Sequence, residues 1–119
     1  RSGLAYEGRD VRFRGDTGTE YDPTGHFLVC LEGDFDVQEP TAAQIDTMVA
    51  LFAWASQEYG IEASTLAGHG SYAVTRCPGS AVSAMISDLQ AAISLSGPMT
   101  LDLVCGTAAA ELVASVEAG

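Results

Sequence analysis

A continuous apolar run at residues 26–31 restricts the fold of this chain more than any other feature of its sequence. The run reads His-Phe-Leu-Val-Cys-Leu and ends at Glu32 and Gly33. An apolar segment of this length without polar alternation is typical of a strand that is buried on both faces, in a sheet covered by helices. We therefore expect residues 26–31 to form an inner strand.

The clearest helix signal follows Pro40. Thr41 and, three residues later, Gln44 match a capping box, in which two side chains satisfy backbone N–H groups at the start of a helix. Apolar side chains then recur at helical spacing, at Ile45, Met48, Val49, Phe52 and Ala55. The helix is predicted to end near residues 59–60, with Gly60 as a left-handed cap.

The patterns elsewhere in the chain are weaker. Residues 4–14 predict two short extended pieces joined by a glycine turn, and residues 15–25, rich in Gly, Thr, Asp and Pro, predict a loop. Apolar residues at helical spacing predict a second helix over residues 80–93. Beyond it, we expect an extended stretch at residues 101–104 and an alanine-rich helix at residues 107–116.

The charge of the chain makes two classes of partner poor candidates. Sixteen acidic residues stand against five basic ones, which gives a formal net charge of -11. A surface so short of cations repels phosphate backbones and anionic lipid, so we expect neither nucleic acid nor a membrane surface as a partner. No apolar run approaches the roughly 20 residues that a membrane-spanning helix requires, so we also expect no membrane span.

Two candidate zinc ligands, His69 and Cys77, lie close together in a segment of small and turn-forming residues. Imidazole and thiolate both bind zinc, and a pair on one loop needs only a third ligand to leave a position open for water or substrate. On spacing alone, a chance pairing is the simpler interpretation. The odd cysteine count nevertheless favours one cysteine with a separate role, and whether Cys30 and Cys105 pair is left open.

Four motifs in order make the interpretation specific. Residues 68–69 (Gly-His) and 75–79 (Thr-Arg-Cys-Pro-Gly) resemble the C-terminal zinc motif of the N-acetylmuramoyl-L-alanine amidase and peptidoglycan recognition protein family. Residues 6–9 (Tyr-Glu-Gly-Arg) resemble its hairpin, and residues 26–35 resemble one of its strands. Residues 40–44 (Pro-Thr-Ala-Ala-Gln) resemble the start of its long helix.

The resemblance implies an α/β fold, with a central mixed β-sheet flanked by helices. It assigns residues 1–93 to an N-terminally incomplete amidase or peptidoglycan recognition-like domain, and leaves residues 94–119 as an extension of unknown role packed on that domain. The family's first zinc-binding histidine and its active-site tyrosine precede the hairpin at residues 6–9, where this chain has no counterpart. We therefore expect a fragment, or a partner chain that covers an exposed sheet edge.

Carried over to this sequence, the family's second and third zinc ligands fall at His69 and Cys77. Thr75 falls at the reaction centre, where its hydroxyl either hydrogen-bonds an oxyanion or only shapes the loop. His26 as a substitute ligand and Glu32 as a general base are weaker alternatives. The family's usual Arg-Asp pair after the histidine is replaced by Gly-Ser at residues 70–71, which alters the surroundings of the metal.

The function implied by the resemblance is Zn²⁺-dependent hydrolysis of the amide bond between N-acetylmuramic acid and L-alanine of peptidoglycan. The alternative is a peptidoglycan-binding or regulatory module without catalysis. A third possibility is an inherited scaffold in which Cys77 is an ordinary core thiol. Peptidoglycan or muropeptide fragments are the expected partners, and a secreted, periplasmic or cell-wall location follows from that substrate.

Overall fold

A computed structural model of the chain describes residues 1–96. Its longest helix, α1, spans Ala42–Tyr59, and both predicted ends are confirmed. The Thr41 hydroxyl oxygen accepts a hydrogen bond from the Gln44 backbone N–H at 3.1 Å, and the Gln44 side-chain oxygen accepts one from the Thr41 N–H at 3.0 Å. Gly60 ends α1 in the left-handed conformation, at φ 66°.

The single helix predicted over residues 80–93 is two helices. A short helix, α2, spans Ser80–Ser83, and α3 spans Ile86–Leu95. The break lies at residues 84–85, where the Met85 N–H donates to the Val82 carbonyl at 2.9 Å, three residues back instead of four. Apolar spacing did not reveal the break, because Val82 and Leu89 remain buried on both sides of it.

The predicted central mixed β-sheet is wrong for the part of the chain that the structure describes. Residues 1–96 form helices and turns without a strand, including at residues 4–14 and at the apolar run. The run is buried as expected, since Leu28, Val29 and Leu31 lie in the interior. An apolar run specifies burial, however, whereas a strand also needs a neighbouring segment that exchanges backbone hydrogen bonds with it.

Helices take the place that the sheet was expected to occupy in the core. Val29 and Leu31 pack in one cluster with residues of α1, α2 and α3: Met48, Leu51, Val82 and Leu89. The buried Gln44 side chain joins α1 to the end of the run, because its NH₂ group donates to the Glu32 carbonyl at 3.0 Å. Phe35, only 1% exposed, completes the cluster and lies beneath the loop that carries the candidate ligands.

Several expectations lie outside the described residues. They are the extended stretch at residues 101–104, the helix at residues 107–116, the packing of most of the extension and the pairing of Cys105 with Cys30. None of the helices within residues 1–96 has both the length and the apolar character that crossing a membrane requires.

Candidate functional site

The candidate ligands lie on a loop at residues 68–79, called here the His–Cys loop. A hydrogen bond from the Gly70 N–H to the Cys77 carbonyl, 2.8 Å long, closes the loop. It brings Gly70, the residue after His69, next to Cys77. His69–Ser71 form a 3₁₀ turn, and the Cys77–Pro78 peptide bond is cis. A Cβ on Gly68 would lie 2.5 Å from the Pro78 Cδ, so the two ends of the loop meet only because residue 68 is glycine.

The C-terminal end of the loop is fixed to residues 35–36. One Asp36 carboxylate oxygen accepts the Ser80 N–H at 2.9 Å, and the other lies 3.3 Å from the Arg76 Nε. The Ala81 N–H donates to the Phe35 carbonyl at 2.9 Å. The first N–H groups of α2 therefore bond to the segment that follows the apolar run, and this anchors the loop beside the core.

His69 is 5% exposed and has a hydroxyl partner that is distant in sequence. Its Nε2 lies 2.8 Å from the Thr19 Oγ1, and the Thr19 Oγ1 lies 2.9 Å from the Oγ1 of Thr17, itself 6% exposed. The Tyr21 ring centre lies 5.5 Å from the imidazole centre. Thr17, Thr19 and Tyr21 lie in residues 15–25, for which the sequence predicted only a loop. Nothing in the composition of this segment indicates a partner fifty residues away.

The three predicted site residues line one cavity. His69, Thr75 and Cys77 all border a space of about 430 Å³, called here the His–Cys cavity. The Thr75 side-chain oxygen accepts the Cys77 backbone N–H at 3.2 Å, and both residues are partly buried. The other polar side chains of the cavity wall are those of Thr17, Thr19, Asp34, Asp36 and Arg76.

The two weaker candidates, His26 and Glu32, lie outside the His–Cys cavity. His26 borders a second, mainly apolar cavity of about 160 Å³, together with Tyr21, Tyr72 and the other side of His69. The ring centres of His26 and Tyr72 are 5.1 Å apart, and Tyr21 and Tyr72 stack at 5.2 Å. Glu32 is exposed and borders neither cavity. The structure therefore does not bring either residue together with Cys77.

The donor set fits zinc in chemistry but is incomplete in number. Imidazole and thiolate are common zinc ligands, and a catalytic zinc site needs three protein ligands. Within residues 1–96, no group of three His, Cys, Asp or Glu side chains is arranged to hold a metal ion. Asp34 and Asp36 also border the cavity. An Asp34 carboxylate oxygen accepts the Asp36 N–H, and the Asp36 carboxylate accepts the Ser80 N–H and pairs with Arg76. The described residues therefore supply two of the three donors, His69 and Cys77.

A family model described as N-acetylmuramoyl-L-alanine amidase matches residues 3–80, which is more than half of the chain. The matched region contains the apolar run, α1 and the whole His–Cys loop. No curated protein and no solved structure matches the chain.

Proposed function

Since this chain belongs to the N-acetylmuramoyl-L-alanine amidase family, we propose that it hydrolyses the amide bond between N-acetylmuramic acid and the L-alanine of peptidoglycan. The observation that carries the proposal is the shared cavity, in which a ligand pair and a hydroxyl group, His69, Cys77 and Thr75, border the same space. Residues 1–93 form the amidase-like domain in this proposal, and residues 94–119 extend it.

Zinc is the metal that the two donors favour, with His69 as neutral imidazole and Cys77 as thiolate. Zinc held by His69, Cys77 and a third donor would polarise the scissile carbonyl and would lower the pKa of a water molecule to about 7. The hydrogen bond between Gly70 and Cys77 keeps the two donors on one closed loop. The Thr75 hydroxyl accepts the Cys77 N–H with its oxygen and keeps its own hydrogen to donate to the substrate carbonyl oxygen.

A third donor is needed to complete this site. We expect it from a segment or a chain that the described residues do not include, because residues 1–96 gather no third ligand. A peptidoglycan substrate implies action at the cell wall, in the periplasm or outside the cell.

The experiment that tests the proposal combines metal content with product analysis. Metal per chain is measured by mass spectrometry after dialysis, for the wild type and for Cys77→Ser, and muropeptides are analysed for release of the intact stem peptide. We expect near-stoichiometric zinc and peptide release in the wild type, and loss of both in Cys77→Ser. Peptide release that is equal in the two proteins would contradict the proposed role of Cys77.

The incomplete donor set favours a second candidate function, a module that binds peptidoglycan without cleaving it. Such a module would retain the cavities beside His69 and would not need bound zinc. Calorimetric titration with muropeptides distinguishes the two functions. Binding that is unchanged by a chelator, without peptide release, would favour the binding module over the amidase.

A further inference from the structure

A chain of hydroxyl groups ends on the buried candidate ligand His69. The Thr17 and Thr19 side-chain oxygens lie 2.9 Å apart, and the Thr19 oxygen lies 2.8 Å from the His69 Nε2. Thr17 and His69 are 6% and 5% exposed, so two of the three groups are almost completely withdrawn from solvent. A buried polar group without a partner costs about 1–3 kcal/mol, so these contacts hold the three side chains together.

A hydroxyl group suits this position because it can both donate and accept. Thr19 can accept a hydrogen from a protonated Nε2 or donate its own hydrogen to an unprotonated Nε2. The contact therefore restrains the imidazole ring in either neutral tautomer. The Tyr21 ring, 5.5 Å away between centres, packs on the same imidazole and limits its rotation from another side.

The segment that carries the hydroxyl chain is held in shape by its own hydrogen bonds. An Asp16 carboxylate oxygen accepts the Gly18 N–H at 3.0 Å, and Gly18 adopts φ 68°, which favours glycine. Further on, an Asp22 carboxylate oxygen accepts the Thr24 N–H at 3.0 Å. Thr17, Thr19 and Tyr21 therefore project from a locally fixed loop.

We propose that Thr19, supported by Thr17, is a positioning residue that sets the orientation of the His69 imidazole for metal binding. The metal part of this proposal rests on the proposed function, in which His69 is a zinc ligand. Residues that hydrogen-bond the second ring nitrogen of a metal-ligating histidine fix its orientation, and their removal typically weakens metal binding by about 10–100-fold.

The test uses two substitutions at Thr19 and one matched control. Thr19→Val keeps the branched shape and removes the hydroxyl, whereas Thr19→Ser keeps the hydroxyl. The control is Thr47→Val, which removes a partly buried hydroxyl that donates to the Gly3 carbonyl at 2.6 Å, on α1 and away from both cavities. Zinc affinity is measured by competition with a chromophoric chelator, and thermal midpoints are measured without metal.

We expect Thr19→Val to weaken zinc binding by about 10–100-fold, and Thr19→Ser and Thr47→Val to bind zinc as the wild type does. A second measurement needs no metal: nuclear Overhauser contacts between the His69 and Tyr21 rings at fixed pH. These contacts should persist in Thr19→Ser and weaken in Thr19→Val, because the released ring rotates.

Two outcomes would overturn the proposal. If Thr19→Val lowers the thermal midpoint but keeps both the zinc affinity and the ring contacts, the hydroxyl contributes to stability alone. If the ring contacts are the same in all four proteins, Thr19 does not orient His69. A wild type that binds no zinc would instead count against a zinc site formed by this chain alone, and the ring contacts would still decide the role of Thr19.

Discussion

Gly79 lies directly against Phe35: a Cβ on Gly79 would stand 2.6 Å from the Phe35 carbonyl carbon. Gly79 also adopts φ 89° and ψ 157°, a region of backbone conformation that only glycine occupies readily. This contact joins the end of the His–Cys loop to the buried segment that follows the apolar run. The position of Cys77, two residues earlier, therefore depends on a glycine at residue 79.

We expect Gly79→Ala to destabilise the protein by at least about 2 kcal/mol, because the strain of the backbone adds to a clash with the Phe35 backbone. The measurement is the free energy of unfolding in urea. Gly18→Ala is a control for a positive φ without a clash, since Gly18 has φ 68° and nothing lies within 4 Å of an added Cβ. A loss in Gly79→Ala no larger than that in Gly18→Ala would contradict an added cost from the contact with Phe35.

Asp36 is expected to anchor the loop mainly through its bond to the backbone of α2. Asp36→Ala removes the acceptor of the Ser80 N–H, so we expect a loss of about 1–2 kcal/mol in the urea unfolding free energy. Arg76→Ala should cost less than about 1 kcal/mol, because the Arg76 side chain is 86% exposed and such ion pairs contribute little. A larger loss in Arg76→Ala would assign the anchoring to the ion pair.

Gln44 is expected to contribute more to stability than its partner in the capping box. Thr41→Ala removes the cap bond to the Gln44 N–H and an exposed bond from the Thr41 hydroxyl to the Arg1 carbonyl. We expect a loss of about 1 kcal/mol, mostly from the cap bond. Gln44→Ala removes both the bond to the Thr41 N–H and the bond to the Glu32 carbonyl, so we expect about 2–3 kcal/mol. Thermal and urea unfolding of both variants check the order, and the reverse order would contradict this account.

Local signals in the sequence predicted the structure where the determining contacts are local. Both ends of α1 follow from Thr41, Gln44 and Gly60, whose partners lie within a few residues. The β-sheet, which the resemblance implied and the apolar run at residues 26–31 supported, is wrong for residues 1–96. Burial of the run does not specify strand pairing, because pairing depends on a distant segment. The core beside the run is formed by helices instead.

The candidate site likewise has a part that the sequence predicted and a part that it missed. The motif placed His69, Thr75 and Cys77 on one loop, and the structure places them around one cavity. The residues that hold this loop and its histidine, Asp36 and Thr19, were missed. Asp36 lies 44 residues from its partner Ser80, and Thr19 lies 50 residues from its partner His69. Residue spacing carries no information about such distant contacts.

The hydroxyl of Thr75 is expected to act on the reaction and not only on the shape of the loop. Its oxygen accepts the Cys77 N–H at a rather long 3.2 Å, so the bond to the loop is weak, while its hydrogen remains available in the cavity. We expect Thr75→Val to lower the kcat for muropeptide cleavage by about 10²–10³-fold, as the loss of an oxyanion donor does. Zinc content and the thermal midpoint should change little.

Two companion variants decide between the roles of Thr75. Thr75→Ser keeps the hydroxyl and should restore most of the kcat. Ser71→Ala removes an exposed hydroxyl of the same loop that borders neither cavity, and should leave the kcat unchanged. If Thr75→Val instead loses zinc and thermal stability in step with the kcat, the hydroxyl acts by shaping the loop around Cys77, because removing only an oxyanion donor would leave metal binding intact.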